Sequence, residues 1–227
     1  MRYKLLLIAF IFFGHFHQTF SQSKGLSTID SLKDSFQKAS DKKKKVDLLN
    51  QLGYEFRKTE NKDSSIFYTD RAVEITNQFH YPQGEILATL NYAITYRELK
   101  KYSKAKEYSQ TLIRLCEAER DSLRLGDAFD NLAHIYFEEG DTHKALINHF
   151  SALRIREKTG DNYGSGNSYD NIAHIYSSQY RYEDALKYFM RSFKTFKKVK
   201  DLSRETLSLA NVGLQLYRQG NYPAALL

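Results

Sequence analysis

Two five-residue segments hold the most reactive side chains of this chain, and they are near copies. Asp130-Asn131-Leu132-Ala133-His134 and Asp170-Asn171-Ile172-Ala173-His174 lie forty residues apart. On a helix, residues four apart share a face, so each Asp stands beside its own His. Stacking the two segments would bring two carboxylates and two imidazoles together. Carboxylate and imidazole are both metal ligands, which admits a metal site. The plainer reading is a pair of Asp–His contacts lining a polar surface. No cysteine and no further histidine joins at ligand spacing, so the plainer reading is preferred and no metal is assigned. The asparagine inside each segment belongs to a longer series, Asn91, Asn131, Asn171 and Asn211, with Gln51 in the corresponding earlier place. A side-chain amide both donates and accepts, so a ladder of them can pair with the backbone of an extended peptide. The alternative is that these amides bond neighbouring helices and fix their stacking.

Signatures of catalysis are missing from the sequence. It has no glycine-rich phosphate loop, no His-Glu-x-x-His, no Gly-x-Ser-x-Gly elbow and no cysteine–histidine pairing. His80, His143 and His149 fall at a connection, a turn and a second-helix position, and are expected to be structural or exposed. The chain is read as a non-enzyme with no cofactor.

What positions these residues is a five-fold repeat. Ala105, Ala145, Ala185 and Ala225, with Ser65 in the first copy, recur at a period of forty. Small residues form a second column: Gly53, Ala93, Ala133, Ala173, Gly213. Three places on stands a bulky column: Phe56, Tyr96, Tyr136, Tyr176, Leu216. A period of this length marks an array of supersecondary units instead of one enclosed core. Only two prolines in 227 residues favour helix throughout. Short polar breaks divide each unit into two helical patterns: Glu60-Asn61, Lys100-Lys101, Gly140-Asp141, Tyr180-Arg181 and Gly220-Asn221. The repeats run near 46–85, 86–125, 126–165 and 166–205, with an incomplete 206–227.

These columns resemble the tetratricopeptide repeat. Its pattern of a bulky residue, Leu-Gly, Tyr, then Ala, an aromatic and Ala is filled by Phe129, Leu132-Ala133, Tyr136, Ala145, His149 and Ala152. Tyr169, Ile172-Ala173, Tyr176, Ala185, Phe189 and Ser192 fill it again. The first copy departs at Thr69, where an aromatic is usual, and the second at Thr89. The resemblance implies an all-α solenoid of antiparallel helix pairs wound as a right-handed superhelix. It also implies that the first helix of each pair lines a concave groove. Carried over position by position, the groove would hold Gln51, Asn91, Asn131, Asn171 and Asn211, with Asp130, His134, Asp170, His174, Arg57 and Arg97. Basic residues fall in the early repeats and acidic ones in the later, which would orient a ligand. Asn50 and Tyr54 stand where the cationic clamp of some relatives has Lys and Asn, so chaperone-tail binding is not implied.

Residues 1–21 have a basic start, the apolar run Leu5–Phe13 and small residues before Gln22, the pattern of a cleaved export signal. Residues 22–44 are expected to form a capping helix before the array at 45–227. The formal charge of +7 includes Arg2 and Lys4, and export removes nucleic acid as a partner. The Lys42–Lys45 run and Lys194, Lys197, Lys198 and Lys200 read as solvated helix surface. Cys116, the one cysteine, reads as a small core hydrophobe. The expected function is an exported, periplasmic or secreted scaffold for a protein or peptide. The alternative is the extracytoplasmic sensor region of a membrane-bound histidine kinase or transcriptional regulator, with a C-terminal membrane segment missing. The apolar ending Ala224-Ala225-Leu226-Leu227 favours that truncation, or a homodimer through this edge.

Overall fold

Residues 27–225 are described by the computed structural model. The export signal and its cleavage after Ser21 lie outside the described residues, as do 22–26 and Leu226-Leu227. Helix α1 covers 27–38. Then come α2 (Lys42–Lys58), α3 (Lys62–Thr76) and α4 (Pro82–Glu98), within a first compact body that ends at Lys100. The second body holds α5 (Tyr102–Ala118), α6 (Ser122–Glu138), α7 (Thr142–Thr159), α8 (Asn162–Ser178), α9 (Tyr182–Lys198), α10 (Leu202–Arg218) and the short α11 (Tyr222–Ala225). No strand occurs among the described residues.

The turns explain the polar breaks. Asp41, Asn61, Asp121, Asp141, Asp161 and Asp201 each accept a backbone N–H from the first turn of the helix that follows. Such N-caps satisfy donors that a helix start leaves open. The residue before each of these caps from Asn61 on has positive φ, as at Glu60, Arg120, Gly140, Gly160 and Lys200. A left-handed residue halts the preceding helix. Each break therefore contains a stop and a start in consecutive residues. Asp41 starts α2 at Lys42, inside the segment expected to be the cap, so the lysine run forms the first turn of α2. Pro82 opens α4, where its missing N–H costs nothing.

Packing follows the small-against-large logic of the columns. In the first body Ile29 and Leu32 of α1 cover Leu52, with Leu48, Phe56 and Tyr68 around them. The Phe56 ring stacks on Tyr68 at 5.1 Å. In the second body Ala173, Ala185, Phe189 and Val212 form one cluster, bordered by Tyr176, Tyr188 and Leu216. Ala133, Ala145, Ala173 and Ala185 are fully buried, which lets helices approach closely. Burying Phe189 and Phe196 contributes about 1.5–3 kcal/mol each relative to exposure. Cys116 is buried as well, and desolvation pushes its thiol up to about 12, so it stays a protonated hydrophobe.

Candidate functional site

In the first body Asn91 and Arg57 are held by other protein groups. Asn91 is buried on α4, and its Nδ2 donates to the Asn50 carbonyl oxygen at 2.9 Å. Asn50 in turn donates to the Gly84 carbonyl oxygen at 2.9 Å. The alternative reading of the amide series therefore applies at Asn91: its donor joins α4 to α2. Arg57 Nη1 donates to Glu98 Oε1 at 2.8 Å, and Lys62 pairs with the same carboxylate. Arg57 is thus paired with a carboxylate within the body. Arg97 is half-buried on α4, and Gln51 is exposed on α2.

The second body brings the two near-identical segments onto α6 and α8. Asp130 takes partners from beyond its own helix. It points across to α7, where it meets His149 Nδ1 at 2.7 Å and the Arg156 guanidinium. The reason is packing: α7 supplies two polar side chains at buried positions, and the carboxylate has to follow them. Arg156 also donates to Asp127 Oδ1 at 3.1 Å and to Ser168 Oγ at 2.7 Å, joining α6, α7 and α8. Burial pushes the Asp130 carboxyl up, but the hydrogen bond and charge of His149, together with Arg156, outweigh it and hold it at about 2. A Cβ on Gly164 would lie 2.7 Å from Arg156 Cδ and 2.1 Å from Asp161 Oδ2. The side-chain-free surface of Gly164 is what admits the guanidinium.

Asp170 sits at the same repeat position with different neighbours. The places of His149 and Arg156 are taken by Phe189 and Phe196, both buried. Its Oδ1 has Ser208 Oγ at 3.5 Å, and Ser192 Oγ lies 3.0 Å from that hydroxyl. Desolvation dominates here, and despite His174, Ser192 and Arg204 the carboxyl is shifted upward. The two histidines lie edge-on to equivalent rings: His134 against His149 and His174 against Phe189, each at 5.0 Å. The four polar groups do not converge into one set, and no group of three or more His, Cys, Asp or Glu suited to a metal forms among the described residues.

The amide series divides within this body. Asn131 is buried, and its Nδ2 donates to Ser109 Oγ of α5 at 2.9 Å. Asn171 on α8 and Asn211 on α10 are half-buried, and their side-chain amides make no hydrogen bond among the described residues. Exposed His174 and Leu214 occupy the neighbouring place of the same register. Ser177 links α8 to α10, donating to Gln215 Oε1 at 3.0 Å and accepting from Arg218 Nη1 at 2.7 Å. Beyond α10 lies an open apolar hollow of about 870 Å³, lined by Met190, Leu209, Gly213, Leu216, Tyr222 and Ala225 among others.

Sequence reasoning missed His149 and Arg156 as members of a network. Their signal lay in the columns. Arg156 shares a repeat position with Thr76, Cys116 and Phe196, all buried. A lone guanidinium in a buried column requires buried carboxylates nearby.

No curated protein matches the sequence. Among solved structures, the chain is similar to BtubC from P. vanneervenii, with 12% identity and a TM-score of 0.72 over 90% of this chain and 85% of that one. It is also similar to a Rap protein complexed with competence and sporulation factor, with 15% identity and a TM-score of 0.73 over 91% of this chain and 69% of that one. A third is a signal transduction ATPase with numerous domains from Pyrococcus horikoshii that has a tetratricopeptide repeat sensor. There the identity is 17% and the TM-score 0.71, over 85% of this chain but only 30% of that one. At these identities the likeness concerns the fold. The family profile of the tetratricopeptide repeat matches residues 85–158 and 131–198, together half of the sequence, and the chain belongs to the tetratricopeptide repeat family.

Proposed function

We propose that this tetratricopeptide scaffold, built for protein–protein interaction, binds an extended peptide or protein segment along the first helices of its later repeats, α8 and α10. The observation that carries this reading is the uncommitted pair of amides on Asn171 and Asn211. They stand at equivalent positions on linked helices, beside exposed His174 and Leu214. Asn91 and Asn131 spend their amide donors inside the protein and are removed from the binding set. Two free amides can donate to and accept from a strand-like backbone, while Leu207 and Leu214, 49% and 43% exposed, offer apolar contact. The similar Rap protein, solved in complex with competence and sporulation factor, supports a ligand-binding role for such a scaffold. The chain acts as a binding scaffold without its own catalysis.

The test is direct. Peptides selected from a random library on the intact protein are measured by fluorescence anisotropy against an Asn171→Ala, Asn211→Ala variant. Loss of two hydrogen bonds should weaken binding roughly 10- to 100-fold. Equal affinities for variant and parent would remove the groove from this function.

Export is a further part of the proposal, and a sensor role is its alternative. Export rests on the basic start, apolar run and small residues ahead of Gln22; mass spectrometry of the expressed protein should find Gln22 at its N-terminus. A sensor role draws on the repeat sensor of the Pyrococcus horikoshii ATPase, and the chain spans under a third of that protein. The apolar hollow at α10 favours pairing through this edge. Sedimentation equilibrium should find a dimer that a Leu209→Ser, Tyr217→Ser variant dissociates.

A further inference from the structure

The outer surface of α9 has a charge pattern that no other helix of the second body shares. From Ala185 to Lys200 the chain contains six cations, Lys187, Arg191, Lys194, Lys197, Lys198 and Lys200, and no acidic residue. All six are exposed. Lys187, Arg191, Lys194 and Lys198 recur at intervals of four, three and four, which places them in one stripe on a helix. Elsewhere in the body several cations have acidic partners: Lys106 with Glu139, Lys144 with Asp141, Arg156 with Asp127 and Asp130. None of the six forms an ion pair among the described residues, five of them lying on α9 and Lys200 in the turn after it. The nearby acids are committed in part, with Asp184 held by Arg181 and Asp201 capping α10. At the positions of α7 equivalent to Lys194 and Lys198 stand Arg154 and Lys158, also exposed.

Two further features select the kind of partner. Five of the six cations are lysines, compact hydrated charges on flexible stems, and the one arginine lies over Tyr169 and Tyr188 at 5.8 and 5.6 Å. No rigid fork is offered to an individual carboxylate. Directly after the stripe, Val199 and Leu202 project from the turn into α10, and Leu202 is 74% exposed. Polar Ser122 and Asn162 hold the equivalent place at the starts of α6 and α8. A spread of lysines beside an exposed leucine suits a diffuse anionic surface with an apolar layer beneath it. An acidic peptide would instead call for a groove with aimed donors.

We infer that the outer face of α9, with the turn into α10, docks on an anionic phospholipid bilayer. The lysines lie at the headgroups and Leu202 reaches the acyl boundary. This inference is independent of the groove on α8 and α10.

Vesicle co-sedimentation of the full chain tests it, with equal parts phosphatidylglycerol and phosphatidylcholine set against phosphatidylcholine alone. Any contribution from the apolar run Leu5–Phe13 appears on both vesicles, so the excess on the anionic ones is the readout. A Lys187→Gln, Lys194→Gln, Lys198→Gln variant should lose roughly 100-fold of that excess, about a factor of five per lysine. A Lys42→Gln, Lys43→Gln, Lys44→Gln variant should retain most of it, and Leu202→Ser should lose several-fold. Circular dichroism checks that each variant is folded. Equal partition onto the two vesicle types overturns the inference, as does an equal loss in the two triple variants. Full vesicle binding by Leu202→Ser, together with displacement by polyglutamate of matched charge, overturns it in favour of an acidic protein partner.

Discussion

The third and fourth repeats share a five-residue polar segment, yet they use its aspartate in opposite ways. Asp130 is drawn into a buried network by His149 and Arg156 and is held ionised down to about 2. Asp170 has two serine hydroxyls as partners, with Phe189 and Phe196 at the register positions of His149 and Arg156, and its carboxyl is shifted upward. The glycines beside these groups repeat too. A Cβ on Gly126 would lie 3.3 Å from Arg156 Nε, and one on Gly166 would lie 2.8 Å from Phe196 Cζ. The backbone thus provides the same slot twice, filled once by a guanidinium and once by a ring. The lesson is that a residue's role here is set by the facing helix, not by its own segment.

The strongest way to break the comparison is to convert one site into the other. Arg156→Phe installs the fourth repeat's ring in the third and leaves Asp127 and Asp130 without their buried cation. The expected cost is about 3–5 kcal/mol, the usual penalty for removing one member of a buried pair. Adding Asp130→Asn removes the stranded charge, so the double variant should be more stable than Arg156→Phe alone, with a coupling of about 1–3 kcal/mol. Urea denaturation of the four proteins closes the cycle. Additive effects would show that Arg156 and Asp130 do not act on each other.

Next in size is the contrast in pH dependence. A carboxyl held at about 2 when folded stabilises the fold fully above its unfolded value of about 3.9. That contribution fades as pH falls toward 2, because the unfolded chain takes up the proton first. Asp130→Asn should therefore cost about 2 kcal/mol at pH 7 and less as pH drops below 4. Asp170 has the opposite sign. Its raised folded pKa makes stability decline as pH rises from the unfolded value through the folded one. Asp170→Asn should leave the pH 7 urea midpoint unchanged or higher. Matching pH profiles for the two variants would remove the distinction between the sites.

Much of the fold was legible because its determinants are local and periodic. Ala133, Ala145, Ala173 and Ala185 could be placed in the core by register alone, and Gly140-Asp141 contains both the left-handed stop and the N-cap of its turn. The site was legible only as a set of positions. Pairing Asp130 with His134 used the spacing within one helix, whereas the deciding contacts come from α7, nineteen and twenty-six residues on. The amide series was open in the same way at Asn91 and Asn131: register cannot tell whether a hydroxyl or carbonyl on a neighbouring helix will take the amide. Arg57 was drawn away by Glu98, forty-one residues distant. Contacts between helices are settled by which side chains face each other, and a one-dimensional period does not encode that.

The smallest predicted effect sharpens the comparison at its middle residue. Asn131 and Asn171 hold equivalent positions, but only Asn131 is buried, with its amide on Ser109 Oγ. Ser109 Oγ already donates to the Ala105 carbonyl oxygen at 2.7 Å, so losing Asn131 leaves its acceptor side buried and empty. Asn131→Ala should cost about 1–2 kcal/mol. Asn171→Ala removes no internal bond and should fall within about 0.5 kcal/mol of the parent. In peptide binding the order reverses, with Asn171→Ala weakening the complex and Asn131→Ala sparing it once the protein is folded. Thermal melts and anisotropy on the same two proteins read both scales. A variant pair that shifts stability and binding together would mean that the two asparagines share one role, and that the division between a structural third repeat and an open fourth does not hold.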